Sequence, residues 1–142
     1  MHVQDLLLDW FRRVWVEGDL SAIDDYFDGD DSVASGILTD ARVGAEDYRA
    51  LVPALRAHLR AIDGSMNRVI VQGDWLGAQY TLRALSAHTS DRIEASGLLM
   101  MRVEGGKVRE AYNTYDFIAL FEQLRLLPRD ALMLLMSGDR LQ

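Results

Sequence analysis

The sequence contains no cysteine, which excludes both a disulfide framework and thiolate chemistry. It also lacks a basic run. Its 15 lysines and arginines are scattered among 22 acidic residues, for a net charge of −7. A chain of that sign has no footprint for nucleic acid, whose backbone is held by clustered positive charge. No stretch approaches the ~20 apolar residues of a membrane span, and the N-terminus lacks the charged-then-apolar pattern of a signal peptide. A cytoplasmic protein is therefore expected, with no membrane and no nucleic-acid partner. No internal repeat, low-complexity tract or linker is visible. Gly-x-Ser-x-Gly, the phosphate-binding loop and a Gly-x-Gly-x-x-Gly ahead of a helix are all missing, so no serine-nucleophile or nucleotide hypothesis arises. The histidines, His2, His58 and His88, are scattered without a His-Glu-x-x-His spacing. No metal site and no cofactor are expected.

What is present is ordinary core material. Apolar residues make up 49% of 142, enough for one domain to close a core without staples. Val3, Leu6, Leu7, Trp10, Phe11, Val14 and Trp15 recur at three- and four-residue steps and predict a helix that Gly18 stops. A short helix follows, with Ser21 as its cap and Ile23, Tyr26 and Phe27 on its buried side. "DGDD" (28–31) reads as a turn, and 32–44 as a short strand and a loop. Tyr48, Leu51, Val52, Leu55, Leu59 and Ile62 form the stripe of a long helix over 45–62, kinked at Pro53. Beyond it the period changes to two. "NRVIVQ" and "WLGAQYTLRAL" flank Gly73-Asp74 as one hairpin, and "IEASGLLMMRV" and "KVREAYNTYDF" flank Gly105-Gly106 as another. A helix over 117–127, Pro128 and a short helix near 129–136 complete the chain. Helices before an antiparallel meander mean an α+β fold, helices packed on one face of a curved sheet. The domain is read as 1–142, with a core over about 5–127 and a C-terminal helical extension over 128–142.

The last strand holds "EAYNTYD" (110–116), a polar run where valine and isoleucine bury more easily. If Gly105-Gly106 form a two-residue turn, Glu104 pairs with Lys107, Thr114 falls opposite Gly97, and Asp116 falls opposite Ala95. Tyr112, Thr114 and Asp116 then share one face beside small residues. A sheet packed directly on helices fills such volume, because voids cost contacts. The pattern predicts a pocket with a carboxylate in it. The rival reading is that Gly97 merely bends its strand. Asn113 and Tyr115 alternate to the opposite face, where a dimer interface is expected.

Four segments in this order, "VEGDLSAIDDYF", "VGAEDYRALVPALRAHL", "QGDW" and "MMRVEGGKVREAYNTYDFIALFEQLRLL", resemble SnoaL-like proteins of the nuclear transport factor 2-like superfamily, which also holds ketosteroid isomerase. The resemblance spans roughly residues 5–127. It implies a cone-shaped, cystatin-like roll: a strongly bent antiparallel sheet wrapped around helices, enclosing a pocket. It also implies a homodimer through the outer face of the sheet. Polyketide cyclases of that family use an Asp near the end of the last strand as acid/base in an intramolecular aldol closure, with an aromatic residue four positions earlier. Asp116 and Tyr112 match that pattern, with Tyr in place of the more usual Trp. For the family's His partner, Arg102 and His88 are the candidates.

The catalytic candidates are thus Asp116, Tyr112, Tyr80 and His88. A carboxylate in an apolar cavity has its charged form disfavoured, and its pKa rises toward a value useful for proton transfer. The alternative role for Asp116 is to cap the helix beginning at Phe117. Tyr112 or Tyr80 would donate to an enolate oxygen; plain packing is the alternative. His88 is either a proton shuttle or a solvent-facing loop residue. Trp10, Trp15, Tyr48, Leu55, Gly97, Leu99 and Thr114 are expected to line the substrate pocket. The expected partner is a small hydrophobic carbonyl compound that is cyclised or isomerised. A non-catalytic ligand-binding or sensing module of the same fold is the rival. The apolar tail "LPRDALMLLMSGDRLQ" is expected to plug the mouth of the cone or to join a dimer contact.

Overall fold

The computed structural model describes residues 2–27, 33–35 and 42–141. α1 (Val3–Trp10) opens the chain and runs directly into a π-helical segment, Phe11–Val16. Arg56 terminates that segment, donating to the carbonyls of Trp15 and Val16 at 2.9 and 3.1 Å. Those acceptors have no partner within a helix end, so the guanidinium supplies one. A 3-10 helix, Leu20–Asp25, follows. Its cap is Asp19 rather than Ser21: the Asp19 carboxylate accepts both the N–H and the hydroxyl of Ser21, at 3.1 and 2.5 Å. Ile23, Tyr26 and Phe27 are buried, as the pattern predicts. The turn predicted at 28–31 lies outside the described residues, as does much of 32–44. Within that stretch, Val33–Ser35 (β1) and Arg42–Val43 (β2) are strands.

α2 (Ala45–Arg56) leads into four long strands: β3 (Leu59–Gln72), β4 (Trp75–Ser86), β5 (Arg92–Glu104) and β6 (Lys107–Tyr115). They form one bent sheet of order β2-β1-β6-β5-β4-β3. The long strands pair antiparallel, while β1 lies parallel to β6. Both hairpin turns fall where the sequence predicts them. Gly105 and Gly106 have φ of +61° and +75°, the left-handed pair whose twist suits a two-residue hairpin.

The helix predicted over 45–62 is shorter in the structure. α2 ends at Arg56, three residues past Pro53, and a 14-residue strand begins at Leu59. The physical cause is a bulge. Pairing of β3 with β4 slips between Arg60 and Asp63, and Ala61 takes a φ of +54°. The inserted residue lets Leu59 and Ile62 both face inward, so a strand shows the three-residue spacing of a helix stripe.

The helical segments pack into the hollow of the sheet. Leu6, Val14, Ile23, Val52 and Leu76 are at most 2% exposed. Each such side chain contributes about 1.5–3 kcal/mol by leaving water. A smaller cluster of Ile93, Leu120 and Leu124 seats α3 (Phe117–Gln123) on β5. Gln123 extends the ladder where β6 has ended: it accepts from the Glu94 N–H and donates to the Glu94 carbonyl, at 2.8 and 2.9 Å. This satisfies backbone groups that a strand would otherwise pair. α4 (Ala131–Met136) follows. No helix among the described residues is long and apolar enough to cross a membrane.

Candidate functional site

A cavity of about 190 Å³ lies between the helices and the sheet. Its wall is mostly aliphatic and aromatic. Trp10 organises one side, meeting Tyr26, Phe27 and Tyr48 edge-on with ring centroids 5.2, 5.4 and 5.1 Å away. The polar side chains in the wall are Tyr48, Ser65, Tyr80, Arg83 and Asn113 with Tyr115. Among the described residues no Asp, Glu or His lines it.

β6 departs from the predicted register. Glu104 pairs with Lys107 and Val103 with Val108, but then the ladder slips and Arg102 pairs with Glu110. Arg109 is the extra residue of a bulge. Beyond it every side chain takes the face opposite to the one predicted, because strand side chains alternate with a period of two. Gly97 pairs with Tyr115, not Thr114. Asn113 and Tyr115, predicted to face outward, line the cavity. Tyr112 and Thr114, predicted to face inward, are exposed. The Tyr112 hydroxyl donates to Glu110 Oε1 at 2.5 Å, and this bond, followed by Arg102, holds the Glu110 carboxyl below its usual value. Asp116 is also exposed. Its Oδ1 accepts the N–H of Ala119 at 3.0 Å and so caps α3. The expected carboxylate in the pocket is therefore corrected: Asp116 stands at a helix end, outside the wall. One sequence signal marks the slip. Val108 and Ala111 are both buried yet stand three apart in a strand.

Tyr80 and its neighbours form the polar part of the wall. The Tyr80 hydroxyl donates to Asn113 Oδ1 at 2.6 Å. Its ring runs parallel to that of Tyr115, with centroids 6.0 Å apart. Gly97 lies between these two tyrosines in the sheet and is no part of the wall itself. It supplies clearance: a Cβ there would stand 2.5 Å from Tyr80 Oη and 2.7 Å from the Thr114 carbonyl oxygen. Burial pushes the Tyr80 phenol up to about 12, against the opposing pull of the Asn113 hydrogen bond. Burial also raises Tyr48 and Tyr115. All three remain neutral phenols across the ordinary pH range. Tyr80 occupies the Asn113 carbonyl, whereas the Asn113 amide N–H groups and the Tyr115 hydroxyl make no hydrogen bond among the described residues. Both are hydrogen-bond donors.

Of the other residues singled out in the sequence, Trp10, Trp15, Tyr48, Leu55 and Leu99 lie in the wall. His88 sits in the exposed β4–β5 turn, its Nε2 2.9 Å from His58 Nδ1, with the turn held by buried Ser86 Oγ accepting the N–H groups of His88 and Thr89. The tail does not plug the cavity; among the described residues the wall ends at Leu120. Those residues contain no group of three His, Asp or Glu placed to hold a metal ion.

The family described as SnoaL-like domain matches residues 7–111. A comparison with curated proteins finds no match. Among solved structures, AclR of Streptomyces galilaeus is 20% identical, covering 89% of this chain and 97% of its own, with a TM-score of 0.73. IdmH of Streptomyces antibioticus is 18% identical, covering 88% and 99%, with a TM-score of 0.73. A SnoaL-like polyketide cyclase of Agrobacterium tumefaciens is 14% identical, covering 87% and 98%, with a TM-score of 0.67. At these identities the likeness is one of fold.

Proposed function

Since the chain belongs to the family of SnoaL-like domains, we propose that it is a small-molecule enzyme of the cyclase-like kind, acting inside the cavity on an apolar carbonyl compound. The observation that carries this reading is the Tyr80–Asn113–Tyr115 cluster in a mostly apolar wall. A carbonyl oxygen placed there meets an amide N–H and a phenol, both neutral. When a water molecule takes a proton from the adjacent carbon, the described wall holding no carboxylate or imidazole to do so, charge gathers on that oxygen, and fixed donors in a mostly apolar site stabilise it more than bulk water does. The Tyr80 bond to Asn113 polarises the amide and strengthens its donation. The chemistry is an aldol-type closure or an isomerisation through the enolate. A ligand-binding or sensing module is the second reading, favoured by a described wall without carboxylate or imidazole.

Naphthyl methyl ketone and ethylnaphthalene, which has the same shape without the oxygen, separate these readings. The wild type is expected to prefer the ketone. Tyr80→Phe and Asn113→Leu are expected to weaken ketone binding roughly 5–30-fold, the worth of about 1–2 kcal/mol of hydrogen bonding, and to leave the hydrocarbon alone. An enzyme also exchanges the methyl protons of the ketone with heavy water; a binding module holds it without exchange. Asp116→Asn keeps the cap and Asp116→Ala loses about 1 kcal/mol of stability, and neither is expected to change ketone affinity. Equal losses for ketone and hydrocarbon would sink the reading.

The same reading includes a homodimer through the outer face of the sheet, where Ile70, Leu98 and Met100 are 76%, 62% and 50% exposed. Leu98→Lys is expected to abolish that contact and lower the particle mass in light scattering. An unchanged mass rules that face out.

A further inference from the structure

The cavity wall and a surface depression outside it share Leu8 and Phe11, from α1 and the π-helical segment, and Ile62 and Gly64, from β3. The cavity therefore meets solvent along the seam between those helical segments and β3, the outermost strand of the sheet. Leu8 is 47% exposed there and gives an apolar interior an apolar approach. Phe11 opens the π-helical segment, a kind of turn frequent at functional sites. Its half-buried ring rests on Gly64. A Cβ at that glycine would stand 2.7 Å from Phe11 Cζ and 2.9 Å from Cε1. A glycine inside a strand often marks such a close approach. Among the described residues no hydrogen bond or ion pair joins residues 3–16 to β3. Packing alone closes the seam, so a turn of the Phe11 side chain opens it without breaking a backbone bond.

The rim of the depression carries Asp5, Asp9, Arg12 and Asp63. Arg12 is already held by Asp9 at 2.7 Å and by Glu17 at 3.0 Å. Asp5 and Asp63 make no ion pair among the described residues. The rim is therefore negative, on a chain that is itself at −7. We propose that this seam is the way into the cavity, with Phe11 on Gly64 as its threshold and the acidic rim passing neutral molecules ahead of anions. An anion is slowed by like charge at the mouth before it meets the apolar wall. The ligand selected is then a neutral carbonyl compound without a free carboxylate, which rests on the cavity being the reaction site proposed above. Phe11 sets the rate of entry and exit and the rim sets which charge is admitted; the Tyr80–Asn113–Tyr115 cluster sets what is held.

Quenching of tryptophan fluorescence tests the entrance without any ligand. Trp10 and Trp15 lie in the cavity wall, and Trp75→Phe removes the third indole. In that background Phe11→Ala is expected to raise the rate constant of quenching by acrylamide, a small neutral molecule, about fivefold, because access no longer waits on a side-chain rotation. Gly64→Ala, whose Cβ displaces the ring, moves quenching the same way. Iodide, an anion, gains much less. Asp5→Asn with Asp63→Asn should then raise iodide quenching about twofold at constant ionic strength and leave acrylamide unchanged. Leu76→Ala separates an entrance from a loosened fold: Leu76 is fully buried and lines neither the cavity nor the depression. Acrylamide quenching in that variant should match its parent. In stopped flow with naphthyl methyl ketone, Phe11→Ala should speed entry and exit by one factor and so leave affinity unchanged. Acrylamide quenching that Phe11→Ala does not raise overturns the proposal, as does an equal rise in Leu76→Ala. Iodide gaining as much as acrylamide in Phe11→Ala overturns selection by the rim. A ketone that fails to bind counts against the proposed function, while the quenching result still decides the entrance.

Discussion

Gly97→Ala is expected to destabilise the protein by about 2–4 kcal/mol and to unseat Tyr80. The new Cβ would stand 2.5 Å from Tyr80 Oη, 2.6 Å from Tyr80 Cζ and 2.7 Å from the Thr114 carbonyl oxygen. The phenol can swing aside. The carbonyl belongs to β6 and can move only with its strand. Overpacking of this kind costs about 1–3 kcal/mol, and the lost Tyr80–Asn113 hydrogen bond adds about 1 kcal/mol. The thermal midpoint should fall by roughly 5–15 °C, and ketone binding should fall with it. Gly77, another glycine of the same sheet, is the control. Nothing lies within 4 Å of a Cβ placed there, so Gly77→Ala should stay within about 0.5 kcal/mol of the wild type. Adding Tyr80→Leu to Gly97→Ala should recover part of the stability and none of the ketone affinity. A Gly97→Ala protein as stable as its parent, with ketone binding intact, would show that the clearance is not needed.

The second large effect appears in alkali. Tyr26 and Tyr80 are pushed up to about 12 and Tyr48 and Tyr115 are raised as well, each chiefly by burial. An unfolded tyrosine ionises near pH 10. Above that point the unfolded chain releases protons that the folded chain retains, and rising pH favours unfolding. The stabilising contribution is complete below about pH 10 and is lost as pH climbs through the folded values. A fully enclosed tyrosine removes roughly 1.4 kcal/mol per pH unit over that window. Buried Tyr48 and half-buried Tyr80 together remove up to roughly 3 kcal/mol per unit, the share of Tyr80 being reduced by its contact with solvent, and Tyr26 and half-buried Tyr115 add to that slope. Two units approach the whole stability of an ordinary domain, about 5–15 kcal/mol. Urea unfolding at stepped pH should show this slope, with tyrosinate absorbance rising together with the loss of fold. Tyr80→Phe should make the slope shallower. Stability that stays level from about pH 10 to pH 12 would contradict the burial of these phenols.

Much of this protein could be read from local chemistry. Two glycines with left-handed φ place the second hairpin turn, and apolar steps of three and four place α1 and α2. The order of helices and strands gives the α+β class. These features depend on a few neighbouring residues, and the physics that sets them acts within one turn of helix or one hairpin. The family likeness comes from the same segments.

The two departures, at Leu59–Ile62 and at Glu110–Asp116, share one cause. In each, a bulge inserts one residue into a strand. A spacing of three then takes the place of two, so the start of β3 carries the spacing of a helix and the end of β6 turns the face opposite to that of an unbulged strand. The identity of the bulged residue is settled by pairing with a partner strand and by which side chains fill the hollow, terms that span dozens of residues in sequence. The hollow itself is what the family resemblance implies, and of the two phenols expected in it Tyr80 lines the wall while Tyr112 is exposed. That Asn113 and Tyr115 point into it, while Asp116 turns to cap α3, follows from the single extra residue at Arg109, because with a period of two one insertion reverses every side chain beyond it.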